Sequence, residues 1–460
     1  MKLNEVKLCL KISLSNSAIF AAQFLKITRF LKLLKLDICC EEQRTFRLHL
    51  AYSVIEGFIL GILALNEFVF IKSLLGTNYQ LSVLFQFSML VFLLLVFVNE
   101  FLKRVKNRRS FLRKVGIFTR LPLVLLLFFP RGPEVYEGGS IYHLIFLAIF
   151  LVYYLAALVI NPSINLLLKT NYTHNNFGKL YSYAQSANKI VLLIITFLYG
   201  ILLDYDNYAF TYIFPFASVL GITSIYLLSK IDYKPPEEIE IKKSIYESAV
   251  QSIKNMNRIL RNNKPYLHFE IGFMFYGFAF MTTYSVVTIF FYEELKLNYS
   301  SVAFYKNSYN ILAILLLPVF GKILGKLDPR KFAMITYASL AVYLFFLMIT
   351  EYLPFHVNFF GIKLYYTLII YIVFHGFFAA TMVLLWNIGS SYFGKDSEAD
   401  IYQSIHLFLT GVRAIFAPLL GIFIYEWFGF TTTFSLAIFS LICGIVLMQW
   451  SRITNFKKSI

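Results

Sequence analysis

A few ionisable side chains lie inside long apolar stretches of this sequence, and they are its clearest candidates for chemistry. Glu56 lies roughly 14 Å into the first stretch, and Arg413 lies roughly 16 Å into the eleventh, at a helical rise of 1.5 Å per residue. Charged groups are costly in an apolar medium, so each of them is a candidate functional group. We expect the two to meet at one depth. A carboxylate beside a guanidinium can then take up and release a proton.

The remaining candidates recur at helical spacing or lie equally deep. His49, Ser53, Glu56 and Glu67 share one helical face, as do Gln403, His406, Thr410 and Arg413. Lys189, Lys306 and His375 are also embedded in apolar stretches. The embedded cations predict an anionic substrate, and His375 or Glu67 is a second choice for a proton carrier. The alternatives are a structural hydrogen bond for His375, helix pairing for Glu56, and snorkelling of the two lysines towards a surface.

The elements that position these groups are membrane helices. Hydrophobic residues make up 58% of the 460 residues, charged residues only 15%, and the mean hydropathy is +0.67. Apolar runs of about 20 residues predict helices that cross a bilayer, because a helix satisfies its own backbone there. We place twelve spans at 47–71, 80–99, 115–130, 140–161, 181–203, 208–229, 266–292, 299–321, 331–352, 364–387, 402–426 and 430–450.

Basic residues fix the expected orientation of these spans. Most of the 42 lysines and arginines fall in the N-terminal segment and alternate loops. The opposite loops hold Lys72, Arg131, Lys296 and Lys363. This asymmetry predicts a multi-pass protein of the plasma or inner membrane with both termini in the cytoplasm. It also accounts for the net charge of +17 without nucleic acid as a partner.

The polar segments divide the chain into five regions. A basic amphipathic segment, with its apolar face at 19–36, occupies residues 1–45, and six-helix bundles occupy 46–229 and 266–450. A central loop with an amphipathic helix lies at 230–265, and a cytoplasmic tail at 451–460. The bundles show signs of an internal repeat, because Tyr181, Gln185, Gly200 and Asp204 match Tyr402, His406, Gly421 and Tyr425 at a constant offset.

A short loop carries a family resemblance. Gly321, Gly325, Asp328, Arg330 and Lys331 follow the eighth span, in an arrangement that resembles the cytoplasmic loop motif of the major facilitator superfamily. The glycines allow helices to approach closely, and Asp328 followed by Pro329 forms a good start for the ninth span. Gly325 departs from the family pattern, in which an aspartate is usual.

This resemblance implies an all-α membrane protein with about twelve transmembrane helices in two six-helix bundles around a central cavity. The family's members are secondary transporters, so we expect a monomer that moves a small, anionic organic solute by alternating access, with coupling to protons. In the superfamily spans 1, 4, 7 and 10 commonly line the cavity. By this resemblance the expected lining residues are Glu56, Tyr276, Tyr284, His375 and Trp386.

Other function classes remain open at this point. A polytopic membrane enzyme, such as an acyltransferase using His375, requires convergent catalytic partners, and none is legible in the sequence. A receptor or scaffold on the same fold is the third class. No phosphate-binding loop is present, and Cys9, Cys39, Cys40 and Cys443 lack zinc spacing, so we expect no enzyme activity, metal or cofactor.

Overall fold

The computed structural model describes residues 40–102, 104–105, 107–232, 244–324, 327–394 and 399–458. The basic segment at 19–36 and Gly325 lie outside these ranges. The described residues are predominantly helical. Nine of their helices are long and apolar enough to cross a membrane, and Asn78–Leu94 is a shorter apolar helix. This arrangement is consistent with the twelve spans in two bundles that the sequence predicts.

The N-terminal bundle holds spans 1 to 6. They are built from the helices Cys40–Leu63 with Asn66–Lys72, Asn78–Leu90 with Leu95–Leu102, Arg108–Arg120, Ile141–Leu155 with Ala157–Asn171, His174–Tyr205 and Phe210–Leu228. The 3₁₀ segments Val91–Leu94 and Leu121–Phe128 continue spans 2 and 3, and Pro133–Val135 lies in the next loop. Span 2 begins with a capping box between Thr77 and Gln80, which satisfies two backbone N–H groups.

The C-terminal bundle holds spans 7 to 12. Spans 7 to 10 are Lys264–Ile289, Tyr299–Leu324, Pro329–Tyr352 and Tyr366–Leu384, and spans 11 and 12 come from Ala399–Ala414 and Ala417–Lys458. The last of these helices is divided at Gly429, whose φ of 78° separates span 11 from span 12. Strands β1 (His356–Phe359) and β2 (Ile362–Tyr365) pair antiparallel between spans 9 and 10. We call this side of the bundles the hairpin end.

The central helix Ile245–Asn262 connects the bundles at the opposite side, which we call the linker end. Ser244 and Glu247 form its capping box. Ala249 and Met256 are buried, whereas Lys254 and Arg258 are exposed. The amphipathic pattern read from the sequence therefore places one face of this helix against the protein.

Several spans depart from regular α-helix, which the apolar pattern could not indicate. Span 1 is interrupted at Ala64 and Leu65, and span 11 is interrupted at Ile415 and Phe416. Span 7 ends in the π-helix Phe290–Glu294, and span 10 continues through the π-helix Leu385–Gly389 into the 3₁₀ turn Ser390–Phe393. Such irregular backbone in a membrane protein is tolerated where neighbouring helices or a cavity satisfy its polar groups.

Spans 1 and 7 end alike, at the same offset as the internal repeat read from spans 5 and 11. Leu75 and Lys296 have φ angles of 52° and 47°, in the left-handed region that side chains rarely adopt. The Gly76 N–H donates to the Phe70 carbonyl at 3.0 Å, and 221 residues later the Leu297 N–H donates to the Phe291 carbonyl at 2.9 Å. Both spans therefore close with the same helix-terminating turn.

The repeat also appears where the two bundles touch. The Gln86 side chain on span 2 donates to the Ala414 carbonyl of span 11 at 2.8 Å. At the same offset of 221 residues, Asn307 on span 8 donates to the Leu193 carbonyl of span 5 at 2.8 Å. We call these two hydrogen bonds the amide clamps. They show that spans 2 and 11, and spans 5 and 8, form equivalent contacts between the bundles.

Candidate functional site

A cavity of about 160 Å³ lies between the bundles, displaced towards the hairpin end. Most of its walls come from spans 7 to 10 of the C-terminal bundle, and Glu67 of span 1 completes them from the N-terminal bundle. The lining residues are Glu67, Phe280, Thr283, Tyr284, Val287, Thr288, Phe291, Val302, Lys306, Tyr309, Tyr343, Tyr371, His375 and Phe378. The cavity is thus largely aromatic, with a few polar groups.

Two opposite charges define the polar part of this cavity. The Lys306 ammonium donates to the Ala64 carbonyl at 2.6 Å, at the interruption of span 1. Glu67 is one turn further along and accepts from the Thr288 hydroxyl at 3.5 Å. Glu67 belongs to one bundle and Lys306 to the other, and the Lys306 side chain reaches across the bundle interface to span 1. The cavity therefore holds an acidic and a basic side chain, one from each bundle.

His375 is held by aromatic packing at the cavity wall. Its ring stacks between Tyr309, at 3.6 Å, and Tyr343, at 4.4 Å between ring centroids. Its Nδ1 lies 2.8 Å from the Tyr371 hydroxyl, with the donor depending on the imidazole tautomer. Among the described residues these contacts include no acidic partner for His375, so they favour a positioning role over acid–base catalysis.

The expected pair of Glu56 and Arg413 is wrong. Glu56 accepts from the Ser224 hydroxyl of span 6 at 2.6 Å, inside the N-terminal bundle. Arg413 donates to the Phe273 carbonyl of span 7 at 2.5 Å, and its guanidinium occupies the space where a Cβ on Gly277 would stand. Equal depth did not make them neighbours, because span 1 packs on spans 5 and 6 whereas span 11 packs on span 7.

The stripe on span 11 forms a second polar cluster, in the C-terminal bundle. His406 contacts both oxygens of the Glu270 carboxylate at 3.2 Å, and both side chains are buried. Gln403 donates to the Trp386 carbonyl at 2.9 Å, which ties span 11 to the π-helix of span 10. Sequence reasoning missed Glu270. The available signal was its position within the apolar run of span 7, with His406 and Arg413 on the facing stripe.

The other expected site residues lie at different places relative to the cavity and the polar cluster of span 11. Tyr284 lines the cavity and stacks on Phe85 of span 2 at 4.1 Å. Tyr276 is buried against Tyr337, with ring centroids 5.3 Å apart, and is not among the cavity-lining residues. Lys189 is exposed on span 5, one turn before the carbonyl that accepts the Asn307 clamp. It therefore lies near the bundle interface on the linker side.

Residues of the loop motif connect the start of span 9 to span 12 by hydrogen bonds. Asp328 caps span 9 by accepting from the Arg330 backbone N–H at 2.8 Å, and it pairs with the Arg330 guanidinium at 2.7 Å. Arg330 also donates to the Ser451 carbonyl at 3.1 Å. Burial alone would raise the pKa of Asp328, but the hydrogen bonds and the positive charge of Arg330 lower that pKa overall.

The remaining motif residues make fewer contacts. Lys331 is exposed. A Cβ at Gly321 would meet no described atom within 4 Å, so the close helix approach expected there is absent from this conformation. The reason is that this part of span 8 lies open, with Lys322 also exposed.

Contacts across the bundle interface close the hairpin end. The Asn78 amide donates to Glu426 at 2.8 Å, and the Ser73 and Tyr299 hydroxyls lie 2.5 Å apart. The Asp204 carboxylate accepts from the backbone N–H groups of Tyr299 and Ser300 at the start of span 8, at 2.8 and 2.9 Å. A cavity that lies between two helical bundles and is closed at one end is typical of membrane transporters.

Comparison with known proteins gives the same class. A family model for the Major Facilitator Superfamily matches residues 48–362, more than half of the chain. The chain belongs to this superfamily, and it is a multi-pass membrane protein of the secondary transporter class. No curated protein sequence matches it.

Solved structures share its fold at low sequence identity. A point mutant of the nucleoside transporter NupG has a TM-score of 0.62 at 11% identity, over 90% of this chain and 99% of its own. A POT family transporter in complex with 5-aminolevulinic acid has a TM-score of 0.65 at 12% identity, over 90% and 96%. The xylose transporter XylE from E. coli has a TM-score of 0.58 at 10% identity, over 89% and 97%. These similarities extend over most of each chain.

Proposed function

We propose that this protein transports a small organic solute that carries both an anionic and a cationic group. The observation that supports this proposal is the placement of Lys306 and Glu67 on opposite bundles around one cavity. An anionic group of the solute would pair with Lys306, and a cationic group with Glu67. Charge-assisted hydrogen bonds of this kind are among the stronger polar contacts in proteins.

The aromatic walls suit the rest of such a solute. Tyr284, Tyr309 and His375 present ring faces or edges to the cavity, and rings of this kind contact planar or apolar groups without requiring a fixed hydrogen-bond pattern. The charged groups would therefore orient the solute while the rings accept varied side groups. A purely anionic solute, which the embedded lysines alone suggested, leaves Glu67 without a role in binding.

The two charges also suit movement between the bundles. A solute bridging Glu67 and Lys306 attracts both bundles to itself, so the occupied cavity favours a state closed around the solute. Release then follows when one end of the interface separates. Under this proposal the hairpin end faces outward and the linker end, with both termini, faces the cytoplasm of a plasma or inner membrane.

Uptake by purified protein in liposomes tests the solute class. The liposomes are exposed to an equimolar mixture of amino acids, dipeptides, monocarboxylates, nucleosides and hexoses, and their contents are measured by mass spectrometry. We expect amino acids or dipeptides to accumulate above protein-free liposomes. Accumulation of nucleosides or hexoses alone would contradict the proposal.

Two variants test which residue binds which charged group of the solute. Lys306→Met should lower uptake of the zwitterions about tenfold or more, because a hydrogen bond to a charged group contributes about 1.5–3 kcal/mol. Glu67→Gln should shift selectivity towards the monocarboxylates. Lys322→Met, on the exposed part of the same span, is the matched control and should behave as wild type. Equal uptake by Lys306→Met and Lys322→Met would remove Lys306 from the site.

A further inference from the structure

Glu270 and His406 form a buried acid–base pair outside the solute cavity. The side chains of His406 and Glu270 are only 1% and 3% exposed, and Nδ1 lies 3.2 Å from each carboxylate oxygen. Glu270 lies about 9 Å along span 7 from its start at Lys264, and about 15 Å from Phe280, the first cavity residue on that span. The pair is therefore close to the linker end and separate from the solute.

Other titratable groups lie around this pair on spans 7, 9 and 11. Tyr266 and Tyr276 face it from span 7, Tyr337 from span 9, and Tyr402 and Arg413 from span 11. The Tyr266 hydroxyl donates to the Tyr402 carbonyl at 2.8 Å. Arg413 is the only cation among these groups, and Glu270 is their only carboxylate.

These charges balance in a way that allows one proton to bind. With neutral His406, the charges of Glu270 and Arg413 cancel. An added proton on His406 gains the attraction of the adjacent carboxylate, but it leaves a net positive charge in a buried place. The two effects oppose each other. Nε2 of His406 and Nε of Arg413 are buried without a hydrogen-bond partner in the described structure, so both atoms can still form a hydrogen bond when a proton binds.

Trp386 connects the pair to the interface between the bundles. Its ring lies 5.1 Å from the His406 ring, nearly perpendicular to it, and 6.3 Å from Phe92 of span 2 in the other bundle. Trp386 belongs to the π-helix of span 10, whose carbonyl at this residue accepts from Gln403. Local π-helical backbone is often found at functional sites, where it can change register at small cost.

We propose that the Glu270–His406 pair is the site that binds the coupling proton, and that Trp386 transmits its occupancy to the bundle interface. The pair binds the proton in one state of the bundles and releases it after the bundles rearrange. This proposal depends on the proposed transport function for its physiological role. Proton binding itself can be measured without any solute.

The fluorescence of Trp386 reports this proton directly. Changing Trp427 and Trp450 to Phe leaves Trp386 as the single tryptophan, because the chain has three. An imidazolium ring in contact with an indole quenches its emission, whereas neutral imidazole does so far less. We expect the emission of this variant to fall reversibly as the pH is lowered, because protonation of His406 places an imidazolium beside the indole.

Further variants identify the group that titrates. His406→Gln in the same background should lose the transition. Glu270→Gln should move its midpoint to lower pH by about 1–3 units, because the carboxylate no longer stabilises the imidazolium. His356→Gln, a change in the exposed hairpin, is the control and should leave the curve unchanged. A flat curve in the parent, or an unshifted midpoint in Glu270→Gln, would overturn the proposal.

A transport measurement then separates coupling from transport itself. In liposomes, Glu270→Gln should exchange the zwitterions found above across the membrane while losing their accumulation against a gradient when a pH difference is imposed. Wild-type accumulation by this variant contradicts coupling at the pair. Absence of any solute transport by the wild type contradicts the proposed function instead, and the fluorescence result still decides whether the pair binds a proton.

Discussion

Asp328 shows how a single side chain can serve both a helix end and an ion pair. It caps span 9 and pairs with Arg330, which in turn reaches Ser451 on span 12. Asp328→Ala removes both contacts, and loss of the cap alone should lower the free energy of unfolding by about 1 kcal/mol. Thermal unfolding of the purified protein measures this difference.

The pH dependence separates the two contacts of Asp328. Its pKa is lowered in the folded protein, so its ionised form stabilises the fold above the unfolded pKa, and this contribution is lost as the pH falls through the folded pKa. Asp328→Asn retains a capping side chain but has no charge. The stability difference between wild type and Asp328→Asn should therefore vanish in acid. A difference that persists there would mean that the charge of Asp328 is not responsible.

The choice between Glu56 and Glu67 could not be made correctly from the sequence. Glu56 and Glu67 share one face of span 1, and depth alone favoured Glu56 as the functional carboxylate. The structure places Glu67 at the cavity because span 1 is interrupted just before it, where Ala64 accepts from Lys306. No residue in that stretch signals the interruption. Lys306 and His375 were identified from their place in apolar stretches, and Tyr284 from the family resemblance, and all three line the cavity.

Substitutions at the two amide clamps test whether the repeat makes equivalent contacts between helices. Gln86→Leu removes the hydrogen bonds to Ala414 and Ile415, and Asn307→Leu removes the bond to Leu193, at positions that the repeat makes equivalent. We expect each change to lower the free energy of unfolding by about 0.5–1.5 kcal/mol. The double variant should lose about the sum, because the two sites share no partner.

A matched control for the clamps lies inside one bundle. Asn188 donates to the Ser53 carbonyl at 2.9 Å, between spans 5 and 1. Asn188→Leu should also lower stability. Unlike the clamp variants, it should leave unchanged the distance distribution between spin labels placed at Asn78 and Glu426, on opposite bundles. A clamp variant that changes neither stability nor this distribution would show that its hydrogen bond contributes nothing to the interface.

The spans themselves were largely predictable because hydrophobic length and capping residues both follow from local sequence. The structure differs from the predicted spans where contacts with other helices determine the backbone conformation. Span 3 begins at Arg108, earlier than predicted, and continues as the 3₁₀ helix Leu121–Phe128. Pro122 lies at the start of this 3₁₀ helix and has no backbone N–H to donate. The break in span 11 is stabilised from another span, by Gln86 donating to Ala414 and Ile415. A local pattern cannot contain that information.

The orientation of the whole molecule is a prediction from its charges. The structure places Asn107 and Asn262 at the linker end, and Asn78 and Asn358 at the hairpin end. Single cysteines at the first two positions should react with an impermeant thiol reagent only after the cells are opened, and those at the last two should react in intact cells. The reverse pattern would place the linker end outside and invert the direction assigned to the site.

Movement between the bundles is the central claim of this account, and restraint of the hairpin end tests it most directly. Asn78→Cys and Glu426→Cys, joined by a short reducible cross-linker, bridge the bundles where these side chains contact each other at 2.8 Å. Tyr352→Cys and Thr431→Cys, at a 2.7 Å contact between spans 9 and 12, provide a bridge within one bundle. Uptake of the zwitterion mixture is measured before cross-linking, after it, and after reduction. The bridge between the bundles should abolish uptake reversibly, and the bridge within one bundle should leave uptake intact. Full uptake with the bundles cross-linked would contradict alternating access through this cavity.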